Sequence, residues 1–393
     1  MNGCWIPDTP IAVDYWKRQT CPATVFFLSH MHADHTSGLS SSWKDKIYCS
    51  EITAKLLESK FGIKNKLIWP LTMGTSHIVD LDVINCITMT VTLIDAHHCP
   101  GAVMFLFEGY FGTILYTGDF RFCSEMSADL GVISGKCIDT LYFDNTYNSP
   151  EFCFPPREDA REQIFQIISD HKDSVVVIGM FNLGKENLLI DIAKYFETRI
   201  VVSPEKMFQI NLLDLPDVFT TGVSTGWIRV EKKMKITNSN IEKWNKEKSA
   251  IAILPTALFS SSQNYRNSRK IYTVPYSDHS SYLELLQFVA RVKPKRLIPI
   301  VKKNEFYSKM NITDIQHFND FLDKNPQKSV IVPDVFQNYF ISSGSKVVRP
   351  KNYNLKRNRS LGVQFHDSPE KVKIPPKQLQ FKNQDELTTR KKE

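Results

Sequence analysis

Residues 29–35 read Ser-His-Met-His-Ala-Asp-His, which puts three histidines and one aspartate within six positions. The stretch directly follows the apolar residues 24–28, which predict a β-strand, so its side chains lie at a strand end facing a cleft. Imidazole nitrogens and carboxylate oxygens are ligands that zinc takes. A surface cluster of histidines is the alternative, but the spacing H-x-H-x-D-H rarely arises by chance. The stretch therefore predicts a metal site.

Three residues far along the chain are candidates for the same site. His98 follows a predicted strand and precedes Cys-Pro-Gly, Asp119 follows another in Tyr-Thr-Gly-Asp, and His279 precedes a predicted helix. Each alone could be a structural residue, and for a lone histidine that role is the more common one. Because all three lie at predicted strand ends or loop turns, we expect them to converge on the metal site.

The pattern of strands and helices changes near residue 156. Before it, short strands are predicted at Ile11–Asp14, Val25–Ser29, Met89–Asp95, Val103–Glu108, Thr113–Thr117 and Thr140–Phe143. Beyond it, helices are predicted at Arg157–His171, Lys185–Phe196 and Tyr282–Val292. Further strands are predicted at Ser174–Ile178, Arg199–Val202, Ala250–Leu254, Ile271–Val274, Arg296–Val301 and Ser329–Val332. The alternation beyond residue 156 indicates a small α/β unit with a parallel sheet.

Composition and charge narrow the class of protein. The apolar fraction of 42% and the charged fraction of 23% are those of a globular protein. No apolar run is long enough to predict a membrane span, and the first residues do not resemble a secretory signal. Eight cysteines without a C-x-x-C pair indicate reduced thiols. Of the net charge of +7, residues 344–393 hold 13 Lys and Arg against 5 Asp and Glu, which leaves 7 − 8 = −1 elsewhere.

In order and spacing, the residues of the predicted metal site resemble the motifs of the metallo-β-lactamase fold. Asp144, in Leu-Tyr-Phe-Asp-Asn-Thr, and His279, in Ser-Asp-His-Ser-Ser, resemble the first and last motifs of a nucleic-acid-processing branch, the β-CASP nucleases. The resemblance covers about residues 1–340. It implies an α/β fold, a metallo-β-lactamase αββα sandwich with an inserted α/β β-CASP cap domain.

The resemblance also implies the division of the chain. The metallo-β-lactamase core would consist of residues 1–155 and 266–343, and the second part would carry the DNA-nuclease motif. The β-CASP cap would be inserted at residues 156–265. Residues 344–393 would form a basic, disordered tail, for which a solvated tail and a nucleic-acid or nuclear-import role stay open.

Residue by residue, the resemblance implies a site for one or two Zn²⁺ ions. His30, His32 and His98 would bind the first ion, with His98 chosen over His97 because it directly precedes Cys-Pro-Gly. Asp34, His35 and His279 would bind the second ion, and Asp119 would bridge the two. Asp14 would support an imidazole from behind. Asp144 would hold a ligand or the attacking water, so the catalytic residues would be Asp34, Asp119, Asp144 and His279.

Two segments depart from simple expectation. The branch carries a histidine in its middle motif where this chain has Asn238, and an amide cannot act as an acid or base near neutral pH. Gly179-x4-Gly184-Lys185 nearly matches a phosphate-binding P-loop, but Glu186 stands where that loop needs Ser or Thr. A helix start beside a lysine still attracts anions, so we expect this turn near DNA phosphates, with a helix cap and solvated lysine as the alternative.

The resemblance implies a zinc-dependent 5′-to-3′ DNA exonuclease of the nucleus, in the repair of interstrand crosslinks and in telomere end processing. Its substrate would be DNA with 5′-phosphorylated ends, and Lys185, Ser277 and Thr256 are the candidates for binding that phosphate. Telomere or repair proteins are possible partners by resemblance, and no membrane is expected. A structure-specific DNA endonuclease of the same fold, a zinc small-molecule hydrolase and an inactive scaffold are the alternatives.

Overall fold

The computed structural model describes residues 3–17, 23–257, 270–302, 311–326 and 330–337. The basic tail expected at residues 344–393 lies outside these ranges. Within them the chain forms three β-sheets with helices on their faces. Two of the sheets build the part of the fold that carries the metal site, and the third belongs to the inserted region.

The first sheet has five strands in sequential order. They are β1 (Cys4–Trp5), β2 (Ile11–Val13), β3 (Val25–Phe27), β4 (Ile47–Ser50) and β5 (Ile68–Leu71). Strand β1 pairs antiparallel with β2, and the other pairs are parallel. All residues of β2, β3 and β4 are buried, which is expected for parallel strands covered on both faces.

The second sheet has six strands in the order β17-β10-β9-β8-β7-β6. They are β6 (Ser76–Asp82), β7 (Ile87–Asp95), β8 (Val103–Gly109), β9 (Gly112–Tyr116), β10 (Thr140–Phe143) and β17 (Arg296–Pro299). Strands β6 to β9 form an antiparallel meander, whereas β10 lies parallel to both β9 and β17. Strand β17 therefore returns from late in the chain and closes this sheet.

The two sheets pack face to face, and a helix covers the outer face of each. Phe27 of the first sheet packs edge-to-face against Phe105 and Phe107 of the second, within one buried apolar cluster. The first sheet's outer face packs against α1 (Glu51–Phe61), and the second sheet's packs against α7 (Tyr282–Val292). This order of layers confirms the predicted αββα sandwich.

The helices begin and end where their sequences provide caps. The Ser50 side chain accepts the N–H of Thr53 at the start of α1, and Gly62 ends that helix in the left-handed conformation. At α7, Ser281 and Glu284 form a reciprocal capping box. This cap starts α7 two residues after His279 and fixes the end of the loop that carries that histidine.

The third sheet is entirely parallel, with strand order β13-β12-β14-β11-β15-β16. Its strands are β11 (Val175–Met180), β12 (Ile200–Val201), β13 (Phe219–Thr220), β14 (Ile228–Lys232), β15 (Ala250–Pro255) and β16 (Ile271–Val274). Its helices are α3 (Arg157–Ser169), α4 (Glu186–Tyr195), α5 (Pro204–Leu212) and α6 (Asn238–Glu247). Apolar side chains from the helices fill both faces, as parallel sheets require.

The expected boundary at residue 265 does not fit this sheet. Strand β16 pairs with β15 in the third sheet, so the inserted region continues to Val274. We therefore propose that the second part of the core begins after Val274. The strand expected at Ser329–Val332 is also wrong for residues 330–332, which are irregular. Among the described helices, none is both long and apolar enough to cross a bilayer.

Short helical segments complete the described fold. They are α2 (Met126–Asp129) and the 3-10 turns Asn65–Leu67, Leu130–Ile133, Lys233–Lys235 and Gln316–Phe321. The Lys233–Lys235 turn directly follows β14, at the edge of the third sheet where β11 and β15 also end. It therefore lies on the same side of the sheet as the loops described below.

Candidate metal centre

The residues predicted to bind metal lie in loops that follow strand ends. His30 and His35 follow β3, His98 follows β7, Asp119 follows β9, and His279 lies between β16 and α7. Gly118 brings two of these loops together, because a Cβ there would lie 2.8 Å from the Cβ of Ser29. Its φ of +54° is also in the left-handed region that favours glycine. The loops after β3 and β9 therefore lie in close contact beside the histidines.

Three imidazoles form the centre of the site. His30 Nε2 lies 3.0 Å from His32 Nδ1, and His98 Nε2 lies 2.9 Å from the same atom. A tetrahedral zinc ion would separate its ligand nitrogens by about 3.3 Å. Three nitrogens that already lie this close together fit a single small ion with little movement of the rings.

The other nitrogen of each imidazole contacts an oxygen of the protein. His30 Nδ1 is 2.9 Å from Ser29 Oγ. His32 Nε2 is 3.0 Å from the carbonyl of Leu183, and His98 Nδ1 is 2.9 Å from the carbonyl of Asp278. Because a carbonyl accepts only, His32 and His98 must donate these hydrogen bonds. Their inward nitrogens then carry a lone pair, as a metal ligand must.

A second group of side chains surrounds Asp119. Asp119 Oδ2 lies 3.2 Å from His35 Nε2, 3.7 Å from His30 Nε2 and 3.8 Å from His98 Nε2. Two buried atoms here, Asp119 Oδ1 and His35 Nε2, make no well-oriented hydrogen bond to a described residue. Buried polar atoms are nearly always paired. A cation bound between the three-histidine group and the side chains around Asp119 would satisfy both Asp119 Oδ1 and His35 Nε2.

Asp14 and Asp34 differ in how they contact His35. The buried Asp14 carboxylate accepts the N–H and hydroxyl of Ser29 and lies 2.7 Å from His35 Nδ1. It thus holds the ring from behind, where it was predicted. Asp34 lies at the rim with its side chain 48% exposed, and its Oδ2 is 3.6 Å from His35 Nε2. Its predicted role as a ligand therefore needs a small rotation towards the site.

His279 joins the site from the other side. His98, Asp119 and His279 each place a ligand atom within 4.8 Å of the others. His279 Nδ1 lies 2.7 Å from Asp144 Oδ2, and the other oxygen of Asp144 accepts the N–H and hydroxyl of Thr146. Both oxygens of Asp144 are thus occupied by protein donors. Of the two roles predicted for it, the structure favours orienting His279 over holding a water.

Burial lowers the pKa of some of these imidazoles, and nearby carboxylates raise the pKa of another. Burial is the main cause that lowers the pKa of His30, His32 and His98, with neighbouring histidines adding to the effect on His30 and His98. Burial also acts to lower the pKa of His35, but the Asp119 and Asp14 carboxylates outweigh it and raise that pKa well above its usual range. The three-histidine group is therefore neutral at neutral pH, the form that binds metal.

Of the neighbouring residues His97 and His98, only His98 lies in the cluster. His97 Nε2 lies 2.7 Å from Asp129 Oδ2, away from the cluster, while His98 lies inside it.

We expect His98→Asn to reduce bound metal and to cost about 100-fold in any metal-dependent cleavage, because a ligand is lost. His97→Asn should retain the wild-type metal content. Metal analysis of both purified variants checks this, and equal losses in the two would contradict the assignment.

Two of the three predicted phosphate contacts are engaged elsewhere. Lys185 Nζ forms an ion pair with Asp278, which also has Arg157 Nη2 3.6 Å away. The hydroxyl of Ser277, a buried residue, donates to the carbonyl of His279 and accepts the N–H of the same residue. Lys185 and Ser277 therefore shape the loop before α7. Their predicted contacts with a terminal phosphate stay predictions.

The turn that resembles a P-loop is filled by the protein itself. The Gly184 N–H donates to both carboxylate oxygens of Glu186, at 3.1 and 2.9 Å. Lys206 Nζ donates to Glu186 Oε1 at 2.6 Å. A carboxylate thus occupies the start of α4, where a P-loop would hold a phosphate. The expectation that this turn lies near DNA phosphates stays a prediction, but the N–H of Gly184 already donates to Glu186.

Lys233 was missed from the sequence. Its ammonium lies 3.4 Å from Thr256 Oγ1 and 5.1 Å from the ring centre of Phe181, whose side chain is largely exposed. Burial first, and then the charge of Lys185, lowers the pKa of Lys233. The third phosphate candidate, Thr256, therefore has a cationic neighbour. Only the strand order, with β14 and β15 on either side of β11, could have revealed it.

Asn238 is the first residue of α6, just after the cap residue Thr237. Thr237 accepts the N–H of Asn240 and so starts the helix. The predicted departure from the branch's middle motif thus lies at a helix start, three residues after the Lys233–Lys235 turn. Its contribution to any chemistry stays a prediction.

Comparison with known proteins finds relatives that are named for DNA repair or for exonuclease activity. The family model described as DNA repair metallo-beta-lactamase matches residues 213–305. The 5′ exonuclease Apollo of Rattus norvegicus is 45% identical over 377 residues, covering 95% of this chain and 67% of that protein. The Apollo protein of Danio rerio is 46% identical, covering 94% and 63%. The DNA cross-link repair 1A protein of Homo sapiens is 34% identical, covering 77% and 31%.

A solved structure agrees at the level of the fold. A protein of unknown function from Enterococcus faecalis V583 superposes with a TM-score of 0.50 at 15% identity, covering 79% of each chain. The chain spans about two thirds of the length of its Apollo relatives. With the αββα sandwich, the cluster of histidines and aspartates and these identities together, the chain belongs to the DNA repair metallo-β-lactamase family, beside the 5′ exonuclease Apollo proteins.

Proposed function

We propose that this protein is a zinc-dependent 5′-to-3′ DNA exonuclease that hydrolyses phosphodiester bonds. The observation that carries the proposal is the convergence of His30, His32, His98 and Asp119 within one buried cluster. The relatives named as 5′ exonucleases support the reaction and its polarity. The inserted cap favours a polymeric substrate over a small molecule, because a small-molecule hydrolase of this fold does not need it.

The residues would divide the work of binding and orienting. His30, His32 and His98 would hold one ion, His35, Asp34 and His279 a second, and Asp119 would contact both. When bound, zinc supplies Lewis acidity towards a phosphate and acidifies a water near neutral pH. Asp14 and Asp144 keep the rings of His35 and His279 oriented through hydrogen bonds of 2.7 Å each.

The terminal 5′-phosphate would bind at Lys233 and Thr256. Among the described residues no carboxylate lies within 4 Å of Lys233, which contacts Thr256, whereas Lys185 is paired with Asp278. The exposed ring of Phe181 next to Lys233 gives a flat surface on which a base can stack. Anchoring the terminal phosphate sets which bond reaches the metal site, and this favours stepwise removal of nucleotides.

The cellular role follows from the relatives and is part of the proposal. We infer that the enzyme acts in the nucleus on interstrand crosslinks and telomere ends, with 5′-phosphorylated DNA as its substrate. The relatives named for DNA cross-link repair support the first of these roles. A structure-specific endonuclease of the same fold is the alternative that the experiment below distinguishes.

We expect a 3′-labelled oligonucleotide with a 5′-phosphate to give a ladder of products shortened one nucleotide at a time. The same strand with a 5′-hydroxyl should be cut more slowly. Lys233→Ala should reduce the preference for the phosphorylated end about tenfold, since a hydrogen bond to a charged group contributes about 1.5–3 kcal/mol. Gel analysis of the early products measures both effects.

Lys235→Ala is the matched control for this measurement. Lys235 lies in the same short turn, but it is exposed and pairs with Glu231 at 3.0 Å. It should therefore keep the wild-type preference. Internal cuts that do not depend on the 5′ group would refute the exonuclease proposal and favour the endonuclease.

A further inference from the structure

The inserted region supplies part of the metal site's support. The carbonyl of Leu183, in the loop between β11 and α4, accepts the hydrogen bond from His32 Nε2. The next residues, Gly184 and Lys185, have φ values of +108° and +65°. A lysine in the left-handed region is strained, so neighbouring groups must hold the loop in this shape. The support of His32 thus depends on how this loop is fixed.

Two buried charges fix the loop. Glu186 is 1% exposed and accepts the Gly184 N–H, while Lys206 of α5 donates to Glu186 and to the carbonyl of Asn182. The pair therefore binds the residues on both sides of Leu183. An isolated buried carboxylate is costly, and this one is paired and hydrogen-bonded. The pair of Glu186 and Lys206 thus fixes the position of the Leu183 carbonyl that lies between its contacts.

We propose that Glu186, paired with Lys206, is a positioning residue for the metal site. It fixes the Leu183 carbonyl, which sets the ring of His32 so that Nδ1 faces His30 and His98. Lys185 adds a second link, because its partner Asp278 offers the carbonyl that holds His98. The inference rests on the metal site of the proposed function, but not on the identity of the substrate.

Metal affinity measured without DNA tests this proposal. We expect Glu186→Gln to weaken Zn²⁺ binding about tenfold in competition with a chromophoric chelator, as loss of outer-shell partners does. Lys206→Arg should keep the wild-type affinity, because the cation remains, whereas Lys206→Met should resemble Glu186→Gln. Asp217→Asn is the control, since it breaks the exposed pair of Asp217 with Arg199 on the same region.

A variant whose melting temperature falls while its Zn²⁺ affinity stays within about twofold of wild type would show a merely structural role. That result overturns the proposal. Failure of the proposed nuclease function would appear differently, as tight zinc binding in the wild type without any cleavage of DNA. The two failures are therefore distinguishable.

A measurement on the wild type keeps the proposal testable if the variants do not fold. Coupling between two sites is reciprocal, so if this loop positions His32, metal binding must in turn stabilise the loop. Removing zinc should therefore speed amide hydrogen exchange in residues 182–186. Residues 245–249, which precede β15 at the opposite end of the parallel strands, should change little. Equal exchange in the loop with and without zinc would contradict the coupling.

Discussion

Removal of bound metal is expected to abolish DNA cleavage, with a loss of at least about 10³-fold that is restored by adding zinc. The reason is that the cluster offers the nitrogen and carboxylate ligands that would hold zinc, and bound zinc would supply the Lewis acidity and the acidified water that hydrolysis needs. The measurement is cleavage of a 5′-phosphorylated oligonucleotide after dialysis against a chelator, with the residual metal quantified in the same sample.

The circular dichroism of the metal-free protein is the control, and it should stay close to that of the loaded protein. Each ligand ring is held by protein oxygens, so the secondary structure does not depend on the ion. Undiminished cleavage in a sample shown to be free of metal would overturn the proposed chemistry. Cleavage that is lost together with the secondary structure would leave the role of the metal undecided and would contradict this control.

Asp119→Asn is expected to have the second large effect, a loss of about 10³-fold or more in cleavage, equivalent to about 4 kcal/mol in the barrier. Asp119 Oδ2 lies within 3.8 Å of His30, His35 and His98, so this carboxylate links the two groups of ligands. An amide of the same shape removes the negative charge and leaves the packing in place. Steady-state cleavage and metal content per chain are measured together.

Asp129→Asn provides the comparison for this substitution. Asp129 is the last residue of α2 and pairs with His97 outside the cluster. It should retain its metal and nearly all its activity. If Asp119→Asn cleaved DNA within tenfold of wild type with its metal intact, a different carboxylate would have to connect the two ligand groups.

The convergence of these side chains could be predicted from the sequence because they are local or follow strand ends. His30, His32 and His35 lie within one short loop, and His98 and Asp119 each follow a strand whose apolar pattern was clear. Parallel strand ends meet at one edge of a sheet, so their loops had to converge. The helix Tyr282–Val292 was predicted with its observed bounds, because its capping sequence is explicit.

The phosphate contacts could not be predicted in the same way. Lys185 looked free because its partner Asp278 lies 93 positions away, in a loop that only the fold brings near. Lys233 belongs to no motif in the sequence, and its approach to Thr256 depends on the strand order of the third sheet. The pairing of β16 with β15, on which the proposed end of the inserted region at Val274 rests, also leaves no local signal.

The hydrogen bonds behind the ligand rings have a consequence for how the enzyme matures. Asp14 and Asp144 orient His35 and His279, and the carbonyls of Leu183 and Asp278 orient His32 and His98, through contacts to the ring nitrogens that point away from the cluster. In small zinc domains the apo chain is unfolded, and the metal must arrive before the structure can form. In this fold the sheets and these protein contacts position the rings, so we expect the chain to fold first and acquire its metal afterwards, with exchange of the ion that does not pass through unfolding.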